Sequence, residues 1–156
     1  MVVVEVPYRT RLVVKATPQQ AFDLVSDVHR SGSHFPGVES LVAVNEQGLW
    51  RWVLAERGYG PIKMRARYEA VYEIDTEAMR VVWRPAANPG DMESHGSWEI
   101  APVDGGGAVL SFETCTLANI PAPRIMAGMV ESFTRNELLR LKISYVEAIR
   151  ETLDGV

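Results

Sequence analysis

Apolar and polar residues alternate with period two along most of the chain as far as Leu117, and then switch to helical spacing. Tyr8, Thr10, Leu12 and Val14 alternate with Arg9, Arg11, Val13 and Lys15, which predicts a strand over 2–15 with one buried face. Thr17-Pro18 then offers an N-cap followed by proline at the first helical position. Behind it Ala21, Phe22, Leu24, Val25 and Val28 recur at helical spacing, so a helix is expected over about 18–28. Residues 29–33 loosen the chain into a turn or a second short helix, and Phe35-Pro36-Gly37 forces a turn.

A meander of strands follows. Alternation predicts strands over 38–45, 49–56, 62–74, 80–84, 92–100 and 109–117, with turn-forming residues between them. Over 62–74 the inward set Ile62, Met64, Ala66, Tyr68, Ala70, Tyr72 and Ile74 is unbroken. From Pro121 to about Leu153 the spacing is helical, and its apolar face rotates along the length. Ile125, Met126, Met129, Val130 and Phe133 share one side of the first half; Leu138, Leu139, Tyr145, Val146 and Ile149 share another side of the second. The second half is therefore expected to pack on the sheet and the first half to form a lid. Short connections between strands imply antiparallel pairing. The expectation is one α+β domain over 1–156: a curved antiparallel sheet of about seven strands wrapped around a long C-terminal helix, with one or two short helices after the first strand.

The same alternation sorts the large side chains. All four tryptophans, Trp50, Trp52, Trp83 and Trp98, fall on the inward face together with Tyr8, Tyr68, Tyr72 and Phe112. Each alone reads as ordinary core. Together they suggest an aromatic-lined cavity, because a single sheet and one helix leave a wide space to fill and the tyrosine and tryptophan tips need polar partners there. Methionines on the lid suit a surface that repacks around varied apolar shapes. The candidate ligand-binding residues are Trp52, Tyr68, Trp83, Trp98, Phe112, Met126, Met129 and Phe133.

Apart from Glu56 at a strand end, the inward set holds no Asp, Glu, His or Lys, so the predicted interior is nearly free of charge. General acid–base catalysis calls for such groups, and no catalytic residue is assigned. His29, His34 and His95 are scattered, which argues against a metal site, and no cofactor is expected. Cys115, the single cysteine, excludes an internal disulfide. Ser111 lacks a nucleophile-elbow context, and Gly105-Gly106-Gly107 sits in a hairpin turn rather than a phosphate loop.

A net charge of −4 without a basic stripe disfavours a nucleic-acid partner. No apolar run approaches the roughly 18 residues of a membrane span, so stable membrane insertion is not expected. The first residues are too acidic for a signal peptide, which makes a cytoplasmic location the expectation. Nothing in the sequence indicates an oligomeric state.

Several local patterns, taken in order, are similar to a known group. They are the strand-to-helix entry Ala16-Thr17-Pro18-Gln19-Gln20-Ala21-Phe22-Asp23-Leu24-Val25-Ser26-Asp27, then Phe35-Pro36-Gly37-Val38, then Gly96-Ser97-Trp98-Glu99-Ile100-Ala101-Pro102 before the glycine turn, and the final long helix. Across essentially its whole length the chain resembles the START-like, or SRPBCC, helix-grip superfamily, which includes polyketide cyclase/dehydrase-like and lipid-transport proteins. Asp27-Val28 followed by Phe35-Pro36-Gly37-Val38 also resembles the coenzyme-Q-binding subgroup, although Ser31-Gly32-Ser33 stand where that subgroup carries an aromatic residue.

The leading functional reading is binding or transport of a hydrophobic small molecule, such as a lipid, an isoprenoid or quinone, or a polyaromatic compound, in an internal cavity. The alternative is a polyketide cyclase or aromatase that uses the cavity as a template; an ionisable group such as Glu56, His95 or Arg140 projecting inward would favour it. A protein-interaction module with a filled interior ranks last, since the outward set carries no exposed apolar run.

Overall fold

In strand β1 (Val2–Val14) the even-numbered residues face inward and the odd-numbered ones face solvent, so that Val3 and Val13 are exposed while Val4 and Val14 are buried. A computed structural model describes residues 1–156. Helix α1 (Pro18–Val25) follows β1 and is opened by a capping box: the Thr17 hydroxyl accepts from the Gln20 N–H at 3.2 Å, and the Gln20 side chain accepts from the Thr17 N–H at 2.9 Å. The short helix α2 (Val28–Gly32) is capped by Asp27, whose carboxylate accepts from the Arg30 N–H.

The remaining strands are β2 (Val38–Ala43), β3 (Leu49–Leu54), β4 (Arg57–Tyr59), β5 (Ile62–Met64), β6 (Arg67–Asp75), β7 (Arg80–Gly90), β8 (Met92–Pro102) and β9 (Ala108–Ile120). Seven of the nine form one antiparallel sheet in the order β1-β9-β8-β7-β6-β3-β2, and β4 pairs only with β5. A single 3₁₀ turn (Arg124–Met126) leads into helix α3 (Ala127–Asp154). The fold is thus the expected α+β arrangement of a curved sheet and a long C-terminal helix, with two short helices after β1.

Three boundaries differ from the sequence expectation, each for a physical reason. The strand expected over 62–74 is two strands, because the chain leaves one partner and joins another at Arg65-Ala66. Alternation continues unchanged through the break, with Ala66 fully buried, so the hydrophobic pattern carries no mark of the exchange. The strand expected over 80–84 continues to Gly90 through two prolines. Only Arg80–Trp83 pair with β8; beyond that point β7 parts from β8, and Pro85 meets no ladder on that side. Gly90, at φ 97°, closes this stretch where a Cβ would collide with the Arg67 carbonyl. Finally, β9 runs on to Ile120, paired with Val2, and the helix begins only at Ala127.

Helix α3 buries one straight stripe: Val130, Thr134, Leu138, Leu141, Lys142, Tyr145, Val146, Ile149 and Leu153. The expected rotation of its apolar face does not occur. The two polar residues Thr134 and Lys142 complete the stripe, while Ile125, Met129 and Phe133 are 94%, 51% and 57% exposed. The C-terminal half packs with Leu12, Val14, Leu110 and Phe112, and its end is tied down by the Lys15 N–H donating to Asp154 and by a contact between His34 Nε2 and the Thr152 hydroxyl at 2.8 Å.

Gly96 sets the shape of the sheet's inner face. It pairs with Trp83, and a Cβ at this position would meet both the Trp83 indole and the Glu113 carbonyl. Gly96→Ala is expected to cost about 1–3 kcal/mol by overpacking, read as a melting temperature several degrees lower by circular dichroism. Gly128→Ala, where nothing lies within 4 Å, should melt no lower than the parent. Equal melting temperatures for the two variants would contradict this account of Gly96.

Candidate functional site

Strand register aligns the inward side chains in rows across the sheet. One row runs Thr10, Phe112, Trp98, Val81; the next runs Tyr8, Thr114, Gly96, Trp83, Tyr72; a third runs Val6, Thr116, Ser94. Trp52 pairs with Tyr68 on the β3–β6 side and their rings stack at 5.7 Å, 8° from parallel. Between these rows and α3 lies a chamber of about 80 Å³. Its wall comprises residues of the sheet, α1 and α2, and Leu138, Lys142 and Tyr145 of α3.

The aromatic rings form a continuous belt. Tyr72 contacts Trp83, Trp83 contacts Phe112, and Phe112 packs against both Trp98 and Tyr145, with centroid separations of 4.5–6.0 Å. Phe35 bridges Tyr145 to Trp52 and closes the belt near α2. The indole donors of Trp52, Trp83 and Trp98 each find a hydroxyl acceptor at 3.2 Å: Tyr72, Ser94 and Tyr145 respectively. Tyr145 Oη also lies 2.6 Å from Ser31 Oγ, so this phenol joins α3, α2 and β8 at one point. These pairings satisfy the buried polar tips without bringing in charge.

Burial pushes the phenols of Tyr68, Tyr72 and Tyr145 above their usual value. At neutral pH they are therefore neutral hydroxyls that donate and accept hydrogen bonds, not bases.

Lys142 is the exception to an uncharged wall. It is only 5% exposed, and its Nζ donates to the Val6 carbonyl at 2.6 Å. No carboxylate pairs with it. Desolvation lowers its pKa to about 8, with the more distant Cys115 acting weakly in the other direction. The expectation of an interior without lysine is thus corrected. A helix pattern assigns a lysine to solvent by default, and here the stem crosses the helix–sheet interface to reach a strand carbonyl.

Of the residues singled out from sequence, Trp52, Tyr68, Trp83, Trp98 and Phe112 stand together in the chamber wall. Met126, Met129 and Phe133 are not among its lining residues; they lie at the start of α3, beyond the buried stripe. Gly60, at the tip of the β4–β5 hairpin, approaches Val130 and the Met129 sulfur. The base of that hairpin is fastened by Arg57, which pairs with Glu137 of α3 at 3.1 Å and donates to the Pro36 carbonyl at 2.9 Å. Glu56, His95 and Arg140 are all exposed to solvent. Sequence reasoning missed Ser31, Lys142 and Tyr145 as wall residues. The spacing of Leu138, Leu141, Tyr145 and Ile149 carries a signal for Tyr145; nothing local marks Ser31.

A protein-family model described as polyketide cyclase / dehydrase and lipid transport matches residues 6–144. The chain belongs to that family. A comparison with curated protein sequences finds no match. Among solved structures, a protein from Thermus thermophilus is similar at 23% identity and a TM-score of 0.70, with 96% of each chain covered. An aromatase/cyclase from a Streptomyces species is similar at 14% identity and 0.71, covering 96% of this chain and 94% of its own. A START superfamily protein from Mycobacterium smegmatis is similar at 12% identity and 0.65, covering 94% and 98%. These likenesses confirm the helix-grip architecture. No helix is long and apolar enough to cross a membrane.

The buried lysine gives a pH signature. Its amine has a pKa of about 8 in the folded chain against roughly 10.4 unfolded. Between these values the unfolded chain holds more protons, so stability rises with pH across that window and is flat below it. The full effect is on the order of 2–3 kcal/mol. Denaturant midpoints at pH 7.5 and 9.5 should therefore increase in the parent and stay level in Lys142→Met. Parallel behaviour of the two proteins would contradict a desolvated amine.

Proposed function

We propose that this member of the polyketide cyclase / dehydrase and lipid transport family binds an apolar small molecule in the chamber between α3 and the concave face of the sheet, as a carrier rather than as an acid–base enzyme. The observation that carries the reading is the aromatic belt around an unfilled space, with its three indole tips already paired to hydroxyls. Such a wall offers a ligand dispersion contact and apolar burial with little polar surface to desolvate.

The chamber is small. An apolar cavity of about 150 Å³ admits a benzene molecule, and this one measures about 80 Å³. A lipid, an isoprenoid or a polyaromatic ligand enters only if the walls move apart. The β4–β5 hairpin and the first turns of α3 are the natural door, because they are held by the Arg57 contacts to Glu137 and Pro36 and by the core packing of Tyr59 and Val130, and by no ladder to the main sheet. Burying about 250 Å² of ligand would contribute roughly 6 kcal/mol, part of which is offset by opening and by lost freedom. A dissociation constant between tens of micromolar and about a millimolar is the scale to expect.

The cyclase reading draws support from the family and from the likeness to an aromatase/cyclase. It is the weaker of the two, because Glu56, His95 and Arg140 face solvent, and Lys142, the one ionisable group that does line the chamber, has no carboxylate or histidine beside it there for paired acid–base work.

The test is native mass spectrometry of freshly purified protein, together with thermal shifts across fatty acids, isoprenoid quinones and polyaromatic compounds. At least one class should be retained and should raise the melting temperature by several degrees at saturation, as ligand linkage requires. No retained mass and no shift across all three classes would overturn the proposal.

A further inference from the structure

Within the chamber one position is chemically unlike the rest. Lys142 is the only Asp, Glu, His, Lys or Arg side chain among the lining residues. It projects from the buried stripe of α3 and is held by one contact, to the Val6 carbonyl. An ammonium carries three donors, so two N–H groups remain beyond that bond. The third inward row places Thr116 and Ser94 beside Val6 across β1, β9 and β8, and both line the chamber. Ser94 Oγ accepts from the Trp83 indole, which leaves its own proton to donate. The Lys142 amine, bonded to the Val6 carbonyl, thus lies by the row that carries the Thr116 and Ser94 hydroxyls.

A buried cation without a counter-charge is costly, and a chain needing only to tie α3 to β1 could do so with a neutral donor. The surrounding phenols supply no negative charge, because desolvation keeps them protonated. What the site lacks is an anion, and the low local dielectric makes the attraction for one strong.

We propose that Lys142 is the anchor for a carboxylate, so that the chamber takes apolar carboxylic acids with the acid group at the Lys142–Ser94–Thr116 end and the hydrophobic body along the tryptophan belt. This rests on the ligand-binding reading above and names its substrate class. The binding is non-covalent: the ammonium donates to the carboxylate oxygens, the hydroxyls complete their hydrogen bonds, and the apolar tail displaces whatever solvent the chamber holds.

The test compares 1-naphthylacetic acid with 2-(1-naphthyl)ethanol, matched in ring and length, by isothermal titration of the full chain at pH 7. The acid should bind at least about tenfold more tightly than the alcohol, a ratio within the range of a charge-assisted pair in a desolvated site. Lys142→Met should bring the acid down to the alcohol's affinity. Lys142→Gln, which keeps a neutral donor directed at the Val6 carbonyl, should do the same and guards against a folding defect in the first variant. An acid that binds no better than the alcohol in the parent overturns the anchor while leaving the apolar chamber intact. So does a preference that survives in either variant. If neither compound binds the parent, the anchor falls as stated, while the ligand-binding reading is decided by the panel of three ligand classes.

Discussion

Seven strands spaced about 4.8 Å apart make a sheet roughly 29 Å across, and one helix about 10 Å wide cannot fill its hollow. That mismatch is the constraint on which the rest of the molecule depends. Helix α3 sits toward the β1 side, where Val146, Ile149 and Leu153 join Leu12 and Val14 in ordinary aliphatic packing. The far side, under β3, β6 and β7, is covered only in part by the short helix α2 and otherwise left to side chains. Only the largest can reach across it, which is why Trp52, Tyr68, Tyr72 and Trp83 stand there. Large rings pack with fixed shapes and leave gaps, so the chamber is a consequence of the architecture before it is a device.

Placing so many aromatic tips in a largely buried space creates a second demand, for hydrogen-bond partners. Pairing indoles with hydroxyls meets it without charge, and the Tyr145 phenol between Ser31 and Trp98 turns the solution into a clamp that joins both helical layers to the sheet. Gly96 belongs to the same arrangement, since the Trp83 indole reaches Ser94 only by lying across a residue without a Cβ. Against this neutral background Lys142 is conspicuous. It is a buried amine in the chamber wall whose one hydrogen-bond partner is a strand carbonyl.

The sheet was legible because period-two alternation is a direct image of two faces, and five wall aromatics followed from it. Alternation is blind to partner exchange, which hid the break at Arg65-Ala66, and prolines read as turns concealed the length of β7. The helix was harder. Methionines, Ile125 and Phe133 near its start look like a buried face, yet Thr134 and Lys142 take that stripe. A lysine that satisfies itself across an interface, like a threonine simply buried on the stripe, leaves no trace in a hydrophobic pattern. Ser31 is invisible for a similar reason, being defined by a contact with Tyr145, 114 positions away. The site was thus half readable: its apolar walls come from local pattern, its polar anchors from long-range geometry.

The central claim is that the hollow beneath α3, and not the exposed apolar surface at the helix start, is where a hydrophobic ligand sits. Intermolecular nuclear Overhauser contacts between bound naphthalene and the protein test it most directly. The account predicts contacts to the ring protons of Trp83, Trp98, Phe112 and Tyr145. Contacts confined to Ile125, Met129 and Phe133 would contradict it.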